Sequence, residues 1–333
     1  MPFGGNDWLA LTREETLEPD MPICDPHHHF WDFRTVRMPY QRYLLHELSA
    51  DVNSGHNIRS TVFIETRGMY RPGGPKELRP VGEVEFVQGL AAASLSGLYG
   101  PTRAAASIIG HADLKLGDRV EPVLEALRAA SPNRFRGIRH SVGWDPHPEV
   151  ENRETEGRLA SDNFRAGAKV LARMGLSLDT GMFFPQLPEL ADFARAVVDA
   201  GLTWVGPDAS SITSMGSKIG AKELMKSAGV PILEAPESPT EADLPLLVKA
   251  SAGGGGRGMR IVRALADLEG EIGKAREEAA SAFGDGTVFV EPYVERGRHV
   301  EVQVVGDGAG DVLVLGERDC SIQRRHQKVV EEA

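Results

Sequence analysis

Short apolar runs alternate with segments of helical periodicity through the first half of the chain. Between two such runs, residues 119–130 place Val120, Val123, Leu124 and Leu127 at intervals of three and four, which predicts an amphipathic helix. Strands that alternate with helices in this way predict an α/β fold with a parallel sheet. The runs expected to form its strands are residues 23–25, 61–65, 105–110, 134–139 and 176–180.

A second alternating region begins near residue 202. Its expected helices are residues 217–228 and 266–283, and its expected strands are residues 246–249, 260–262, 288–293, 299–305 and 312–317. The last three runs are separated by turns that contain glycine, so they predict an antiparallel meander. Long loops are expected at two segments without helical or strand periodicity. Residues 67–79 are rich in Gly and Pro, and residues 145–156 are rich in His, Pro and Glu.

Composition narrows the class of protein. A length of 333 residues allows two domains, and 41% apolar with 26% charged residues is typical of a soluble globular protein. The net charge of −11 argues against a nucleic-acid or anionic-membrane surface, since both attract clustered Lys and Arg. No apolar run is long enough to span a membrane, and the first twenty residues do not form a signal-peptide pattern. The only cysteines, Cys24 and Cys320, are too few for a disulfide framework and favour a cytoplasmic location.

Three consecutive histidines follow the first apolar run. Alternate residues of a strand share one side, so His27 and His29 can face one metal ion while His28 faces away. Two imidazoles supply half of a site, because a catalytic zinc ion takes three protein ligands and keeps one position open. The alternative is that these histidines only form hydrogen bonds.

Four glycines shortly after Lys249 carry the strongest signal in the second half. Backbone N–H groups of such a loop can contact phosphate oxygens, and the lysine ammonium can neutralise their charge. The basic segment at residues 323–328 adds to this signal, which predicts an ATP site. The alternatives are a glycine hinge and a solvated lysine. The glycines are Gly253, Gly254, Gly255 and Gly256.

Residues 7–196 resemble the amidohydrolase-related family of hydrolases, lactonases and decarboxylases. The resemblance implies an incomplete (β/α)8 barrel in which His27 and His29 ligate a divalent metal such as Zn²⁺. The family's further ligands belong to a region that should follow residue 196 and is absent here. Arg139 lies where barrel active sites are lined, and His140 is either a pocket contact or a packing residue. The motifs that carry the resemblance are residues 25–32, 62–65, 135–140 and 176–187.

Residues 197–333 resemble the biotin carboxylase subunit of acyl-CoA carboxylases, an ATP-grasp ligase. The resemblance implies that ATP with Mg²⁺ and bicarbonate form carboxyphosphate, which carboxylates biotin on a carrier protein or domain. It also implies a lid subdomain at about residues 231–285 and an oligomer formed through this half. The motifs that carry it are Lys218, Lys249, residues 253–256, 291–294, 298–303, 317–321 and 323–328.

The same resemblance implies a role for each matching residue. Lys218 and Lys249 would contact phosphates, and the four glycines would form the mobile lid. Glu291 and Val294 would bracket the adenine. Cys320 is expected to be buried and not nucleophilic, because the sequence places no base beside it. The expected catalytic residues along the nucleotide and phosphate region are His299, Gln323, His326 and Lys328.

The resulting prediction is an α/β chain with an incomplete amidohydrolase-type (β/α)8 barrel over residues 1–196 and a partial biotin carboxylase ATP-grasp domain over residues 197–333. The junction is expected at residues 193–196, where one helix fits both families. Three functions stay open: an ATP-dependent ligase fragment, a metal-dependent hydrolase of a lactone or related ester, and a hybrid with neither activity. The hybrid with neither activity is favoured because each half lacks residues that its family uses as ligands. Among them are the magnesium-binding carboxylates, which are expected beyond residue 333.

Overall fold

The computed structural model describes residues 15–16, 18–32, 41–148, 150–215, 218–251, 259–283, 285–307, 309–324 and 327–328. The described residues fall into two units. The first lies within Met1–Val142 and Arg153–Met182, and the second lies within Gly143–Asn152 and Phe183–Ala333.

The first unit contains a five-stranded sheet in the order β1-β2-β3-β4-β5. All neighbouring strands are parallel. The parallel α/β class and the positions of the five strands are therefore confirmed. Sequential parallel strands bring all their carboxyl ends to one edge of the sheet, so side chains at these ends can meet. The strands are β1 (Pro22–His28), β2 (Asn57–Ile64), β3 (Arg103–Gly110), β4 (Phe135–Arg139) and β5 (Ser177–Asp179).

Four α-helices accompany these strands in the described residues: α1 (Leu45–Val52), α2 (Val81–Ser94), α3 (Glu121–Ala130) and α4 (Asp162–Arg173). The helix predicted at residues 119–130 begins at Glu121, because Leu114–Val120 forms a 3₁₀ helix before it. Helix α4 packs against this 3₁₀ helix. Gly167 permits the approach, since a Cβ at this position would lie 2.8 Å from the Leu114 carbonyl oxygen.

The core of the first unit lies between the sheet and its helices. Helix α2 packs on β3, and α3 packs on α2. The four apolar positions predicted for the amphipathic helix include Leu124 and Leu127, and all four are buried. Phe63 of β2, Val84 of α2 and Ile108 of β3 are also fully buried. Removal of this apolar surface from water is the main stabilising contribution to the unit.

The second unit contains three small sheets among the described residues. The sheet of β7-β6-β8 is antiparallel, and β9 pairs with β10 as β11 pairs with β12. The expected domain boundary at residue 196 lies inside α5 and stays a prediction. The helices are α5 (Leu187–Asp199), α6 (Ala209–Met215), α7 (Lys218–Ser227) and α8 (Leu268–Phe283). The strands are β6 (Leu246–Ala250), β7 (Arg260–Val262), β8 (Val288–Pro292), β9 (Val300–Gly306), β10 (Val312–Asp319), β11 (Gln323–Arg324) and β12 (Gln327–Lys328).

The predicted three-stranded meander is wrong for its first strand. β8 pairs with β6, whereas β9 and β10 pair with each other. The reason is burial: Val288 and Val290 pack against a core that includes Leu246, Val248 and Val262. Pairing with β6 places Val288 and Val290 on the same face as Leu246 and Val248, where they join this core.

In the described part of the chain, each helix is too short or too polar to span a membrane.

Candidate functional site

A cavity of about 360 Å³ in the second unit brings charged and apolar side chains together. Its volume falls within the usual range for small-molecule sites. The charged residues that line it are Lys218, Lys222, Lys249 and Glu291. The apolar residues that line it are Ala221, Ile232, Leu233 and Phe289.

Strand pairing explains why part of this lining is polar. Lys249 of β6 lies opposite Phe289 of β8, and Leu247 lies opposite Glu291. Directly opposed residues of an antiparallel pair share one face, so Lys249, Phe289 and Glu291 lie on the same face. The apolar residues between them point to the other face and pack in the core. The two-residue period of the strands therefore separates the site from the core.

The Glu291 carboxylate lies between two ammonium groups. Its Oε1 is bonded to Lys249 Nζ, and its Oε2 lies 3.0 Å from Lys222 Nζ. The residue is only 6% exposed, so water screens these charges poorly. Lys222 Nζ also donates to the Leu233 carbonyl oxygen and lies 5.1 Å from the centre of the Phe289 ring.

Lys218 adds a third ammonium group to the cavity. Its Nζ donates a hydrogen bond to the Ala250 carbonyl oxygen at 3.1 Å. Burial lowers the pKa of Lys218, and the charge of Lys249 lowers it further. Three lysines against one carboxylate leave excess positive charge, which favours an anionic ligand. The apolar side of the cavity suits a flat aromatic group.

A second set of polar side chains lies at the carboxyl edge of the five-stranded sheet. The Nε2 atoms of His27 and His29 lie 3.2 Å apart. His29 Nδ1 lies 2.7 Å from the Ile64 carbonyl oxygen, which can only accept, so Nδ1 carries the proton. Burial lowers the pKa of His29 and favours its neutral ring, in which Nε2 keeps a lone pair. As the two-residue repeat predicts, His28 faces the other way and is buried against Phe30.

A carboxylate also lies at this edge, because Asp179 ends β5. Burial raises the pKa of Asp179, while the charges of Arg139 and also His27 lower it.

The structure brings the two predicted metal donors, His27 and His29, together at this edge. Among the described residues, no group of three or more His, Cys, Asp and Glu side chains could hold a metal ion. His140, which the sequence left between pocket contact and packing, is a buried residue whose two ring nitrogens both have partners. Its Nδ1 accepts a hydrogen bond from Leu114 N at 3.2 Å, its Nε2 lies 3.4 Å from Glu154 Oε1, and its ring contacts Phe164. His140 therefore does not extend the pair of His27 and His29.

Of the other predicted site residues, some are described but do not line the cavity, and the rest lie outside the described part of the chain. Val294 is 53% exposed and does not line the cavity. The exposed His299 also lies outside the lining, with its Nε2 3.4 Å from Glu301 Oε1. Gln323 and Lys328 are paired neighbours in β11 and β12. Cys320 is buried, as expected. The residues that lie outside the described part of the chain are His326, Gly253, Gly254, Gly255 and Gly256.

Comparison with known proteins assigns the region that contains the cavity. Residues 212–333 match the family described as "Carbamoyl-phosphate synthase L chain, ATP binding domain". The biotin carboxylase of Haemophilus influenzae is 47% identical over 159 residues, which cover 44% of this chain and 36% of that protein. The C-terminal region is of the ATP-grasp, biotin carboxylase type. The pyruvate carboxylase of Aspergillus terreus is 49% identical to the chain over 158 residues, which cover 44% of this chain and 13% of that protein.

The chain is also similar to solved structures. A biotin carboxylase–β-γ-ATP complex from Campylobacter jejuni shares 30% identity over 61% of this chain and 49% of that one, with a TM-score of 0.46. The chain therefore spans about half or less of each of these relatives. The comparisons do not show the predicted amidohydrolase-type barrel or its metal site in residues 1–196, and both stay predictions.

Five lining residues of the cavity were missed from the sequence, and Lys222 and Phe289 are among them. Lys222 lies four residues after Lys218, so one turn of α7 places both on the same side of the helix. Phe289 precedes Glu291 by two residues and shares its face of β8. Periodicity about the recognised residues was the signal that could have found both.

Proposed function

We propose that the biotin carboxylase-type region binds ATP with Mg²⁺ in the cavity lined by α7, β6 and β8, as the nucleotide-binding part of a ligase that carboxylates biotin. One observation carries the proposal: Lys218, Lys249 and Glu291, which the sequence assigns to the nucleotide, line the same cavity. The match of residues 212–333 to an ATP-binding domain supports it. By likeness to the relatives, bicarbonate would be a co-substrate, a biotin carrier protein or domain would be the partner, and this half would form an oligomer.

The residues of the cavity fit a nucleotide. Lys218 and Lys249 would neutralise phosphate charge, and Glu291 could accept a hydrogen bond from the amino group of a base. A bound ATP would supply a phosphoryl group, whose transfer depends mainly on positioning and charge neutralisation. The apolar side chains that could contact the base are Ala221, Ile232, Leu233 and Phe289.

The proposal is tested by calorimetric titration of MgATP into the full chain, after circular dichroism has shown that it is folded. K249A is expected to weaken binding by at least about tenfold, because a charge-assisted contact to phosphate is lost. K226A is the matched control: Lys226 lies on α7 but pairs with the exposed Glu234 at 2.8 Å and does not line the cavity. A folded chain that does not bind MgATP, or that binds it equally well as K249A, would contradict the proposal.

A second candidate function is a metal-dependent hydrolase of a lactone or related ester at the carboxyl edge of the five-stranded sheet. The distance of 3.2 Å between the Nε2 atoms of His27 and His29 favours it. Two imidazole nitrogens on one tetrahedral zinc ion, each at about 2.0–2.1 Å, are about 3.3–3.4 Å apart. The hydrogen bond from His29 Nδ1 to the Ile64 carbonyl oxygen is the type of contact that orients a metal-binding histidine. A bound metal would supply Lewis-acid chemistry.

This candidate is tested by titration of Zn²⁺ into the full chain. H27A is expected to weaken zinc binding by at least about tenfold, since one of two donors is lost. H56A is the control, because His56 is exposed on a loop before β2. Equal zinc binding by H27A and the wild type would contradict the metal assignment. A folded chain that binds neither MgATP nor zinc would support the hybrid without activity.

A further inference from the structure

Lys222 connects three groups of the cavity wall from two segments: Glu291 and Phe289 of β8, and the main chain at Leu233. Its Nζ lies 3.0 Å from Glu291 Oε2, donates to the carbonyl oxygen of Leu233, and lies 5.1 Å from the centre of the Phe289 ring. An ammonium group has three N–H donors, and these contacts engage most of its bonding capacity. The side chain is therefore arranged to hold parts of the wall together and not to reach a ligand.

Glu291 depends on this arrangement because its carboxylate is nearly buried. One carboxylate oxygen contacts Lys249 and the other contacts Lys222. A poorly screened carboxylate with a single cation would hold that cation tightly, whereas two cations share its charge. Lys222 therefore leaves the ammonium group of Lys249 better able to exchange Glu291 for a phosphate.

We propose that Lys222 is a positioning residue for nucleotide binding, which acts through Glu291 and does not contact the nucleotide. It fixes the carboxylate between the apolar wall of Leu233 and Phe289 and the ammonium group of Lys249. This inference rests on the proposed function, because it assigns Lys222 a part in ATP binding at the same cavity. It differs from a simple contribution of positive charge by Lys222 to the cavity. If Lys222 acts through Glu291, its effect on MgATP affinity should disappear when Glu291 is replaced by a neutral residue.

The test is a double-mutant cycle on the full chain, in which calorimetry measures MgATP binding by the wild type, K222M, E291Q and K222M/E291Q. K222M is expected to weaken binding by about tenfold or more when Glu291 is present, which is the size of a coupling between contacting groups. In the E291Q background the same substitution is expected to weaken binding by less than about threefold. K226M is the matched control, because Lys226 also bonds to the segment beside Leu233 but through the exposed Glu234.

The outcomes separate this inference from the proposed function. Wild-type-like binding by K222M, or an equal loss of affinity in the Glu291 and E291Q backgrounds, would overturn the inference. The proposed function would still stand in either case if the wild type binds MgATP and K249A weakens that binding by at least about tenfold. No MgATP binding by the folded wild type would overturn both. K222R keeps the charge and is expected to bind within about threefold of the wild type. If thermal unfolding shows that K222M does not fold, a tenfold loss in folded K222R overturns the inference.

Discussion

Arg139 binds Glu65 through both the side chain and the main chain of that residue. Its Nε lies 3.0 Å from Glu65 Oε1, and its Nη2 lies 2.6 Å from the Glu65 carbonyl oxygen. Glu65 follows β2 and Arg139 ends β4, so the contact crosses the end of β3. The Glu65 side chain is only 5% exposed, so this contact is largely shielded from water.

Removal of Arg139 is expected to destabilise the first unit. R139A should lower the free energy of unfolding by about 3 kcal/mol, because it leaves a buried carboxylate without its cation. R71A is the matched control: Arg71 pairs with Glu85, both partners are well exposed, and its loss should cost less than about 1 kcal/mol. Urea unfolding of the three proteins measures the difference, and equal losses for R139A and R71A would contradict the prediction.

Replacement of His28 by Phe is expected to stabilise the protein. His28 is buried against Phe30 and Phe63, and neither ring nitrogen forms a hydrogen bond of ordinary geometry with a described residue. H28F should raise the free energy of unfolding at pH 7 by about 1 kcal/mol, since it removes an unsatisfied buried polar group. Burial lowers the pKa of His28 from 6.5 to about 4, so the wild type loses stability as pH falls from 6.5 through 4, and the gain should grow over this range.

Urea unfolding at pH 7 and pH 5 measures both effects of H28F. H56F serves as the control, because His56 is exposed and its replacement should change little. A destabilised H28F, or a gain that does not depend on pH, would show that the buried ring is not a cost to the fold.

Glu154 is expected to contribute stability that acid removes. Burial alone would raise the pKa of Glu154, but bonds and charges from Lys115, His140 and Arg158 outweigh it and lower the pKa from 4.5 to about 2. The depressed pKa gives stability that is present above pH 4.5 and is lost as pH falls through 2. The free energy of unfolding should therefore fall more steeply for the wild type than for E154Q over this range. Parallel acid titrations of the two proteins would contradict the assignment.

Glu83 is expected to lower the free energy of unfolding as pH rises, whereas Glu154 lowers it as pH falls. Its Oε1 accepts hydrogen bonds from Thr66 N, Thr66 Oγ1 and Gly68 N at 3.0, 2.9 and 2.8 Å, while Oε2 is buried without a described partner. Burial raises the pKa of Glu83 to about 7 against these hydrogen bonds, and the charge of Glu65 adds to the rise. The folded state therefore keeps a proton that the unfolded state loses above pH 4.5, so stability falls as pH rises toward 7.

E83Q should remove this loss because the amide stays neutral and its oxygen can still accept from Thr66 and Gly68. Relative to the wild type, E83Q is expected to gain about 2 kcal/mol of unfolding free energy between pH 5 and pH 8. Chemical denaturation at the two pH values measures the gain. A constant difference between the two proteins would mean that Glu83 is ionised throughout.

Local elements were predictable because their signals are local. The helix at residues 121–130 follows from apolar positions three and four residues apart, and the strands β1 to β5 lie where apolar runs were found. The partner of β8 was not predictable, since its apolar residues could have been covered by β9 or by the core around Leu246. Strand pairing depends on which distant segment buries more surface, and a sequence window contains no such comparison.

The candidate nucleotide site shows the same division. Lys218, Lys249 and Glu291 were recognised from motifs, and the structure places them at one cavity. Lys222 was missed because its importance arises from Glu291 and Leu233, which lie 69 and 11 residues away along the chain. His140 could be assigned only once its hydrogen bond with Leu114 and its contact with Phe164 were known.

By itself the sequence determined the α/β class, the order of most elements and the chemical types present at each site, because periodicity and residue chemistry are properties of short segments. Only the tertiary structure decided that β8 pairs with β6 and that Lys222 and Lys249 both contact Glu291. These outcomes depend on distances between remote segments, which are set when apolar surfaces pack against one another and leave polar groups to pair in the space that remains.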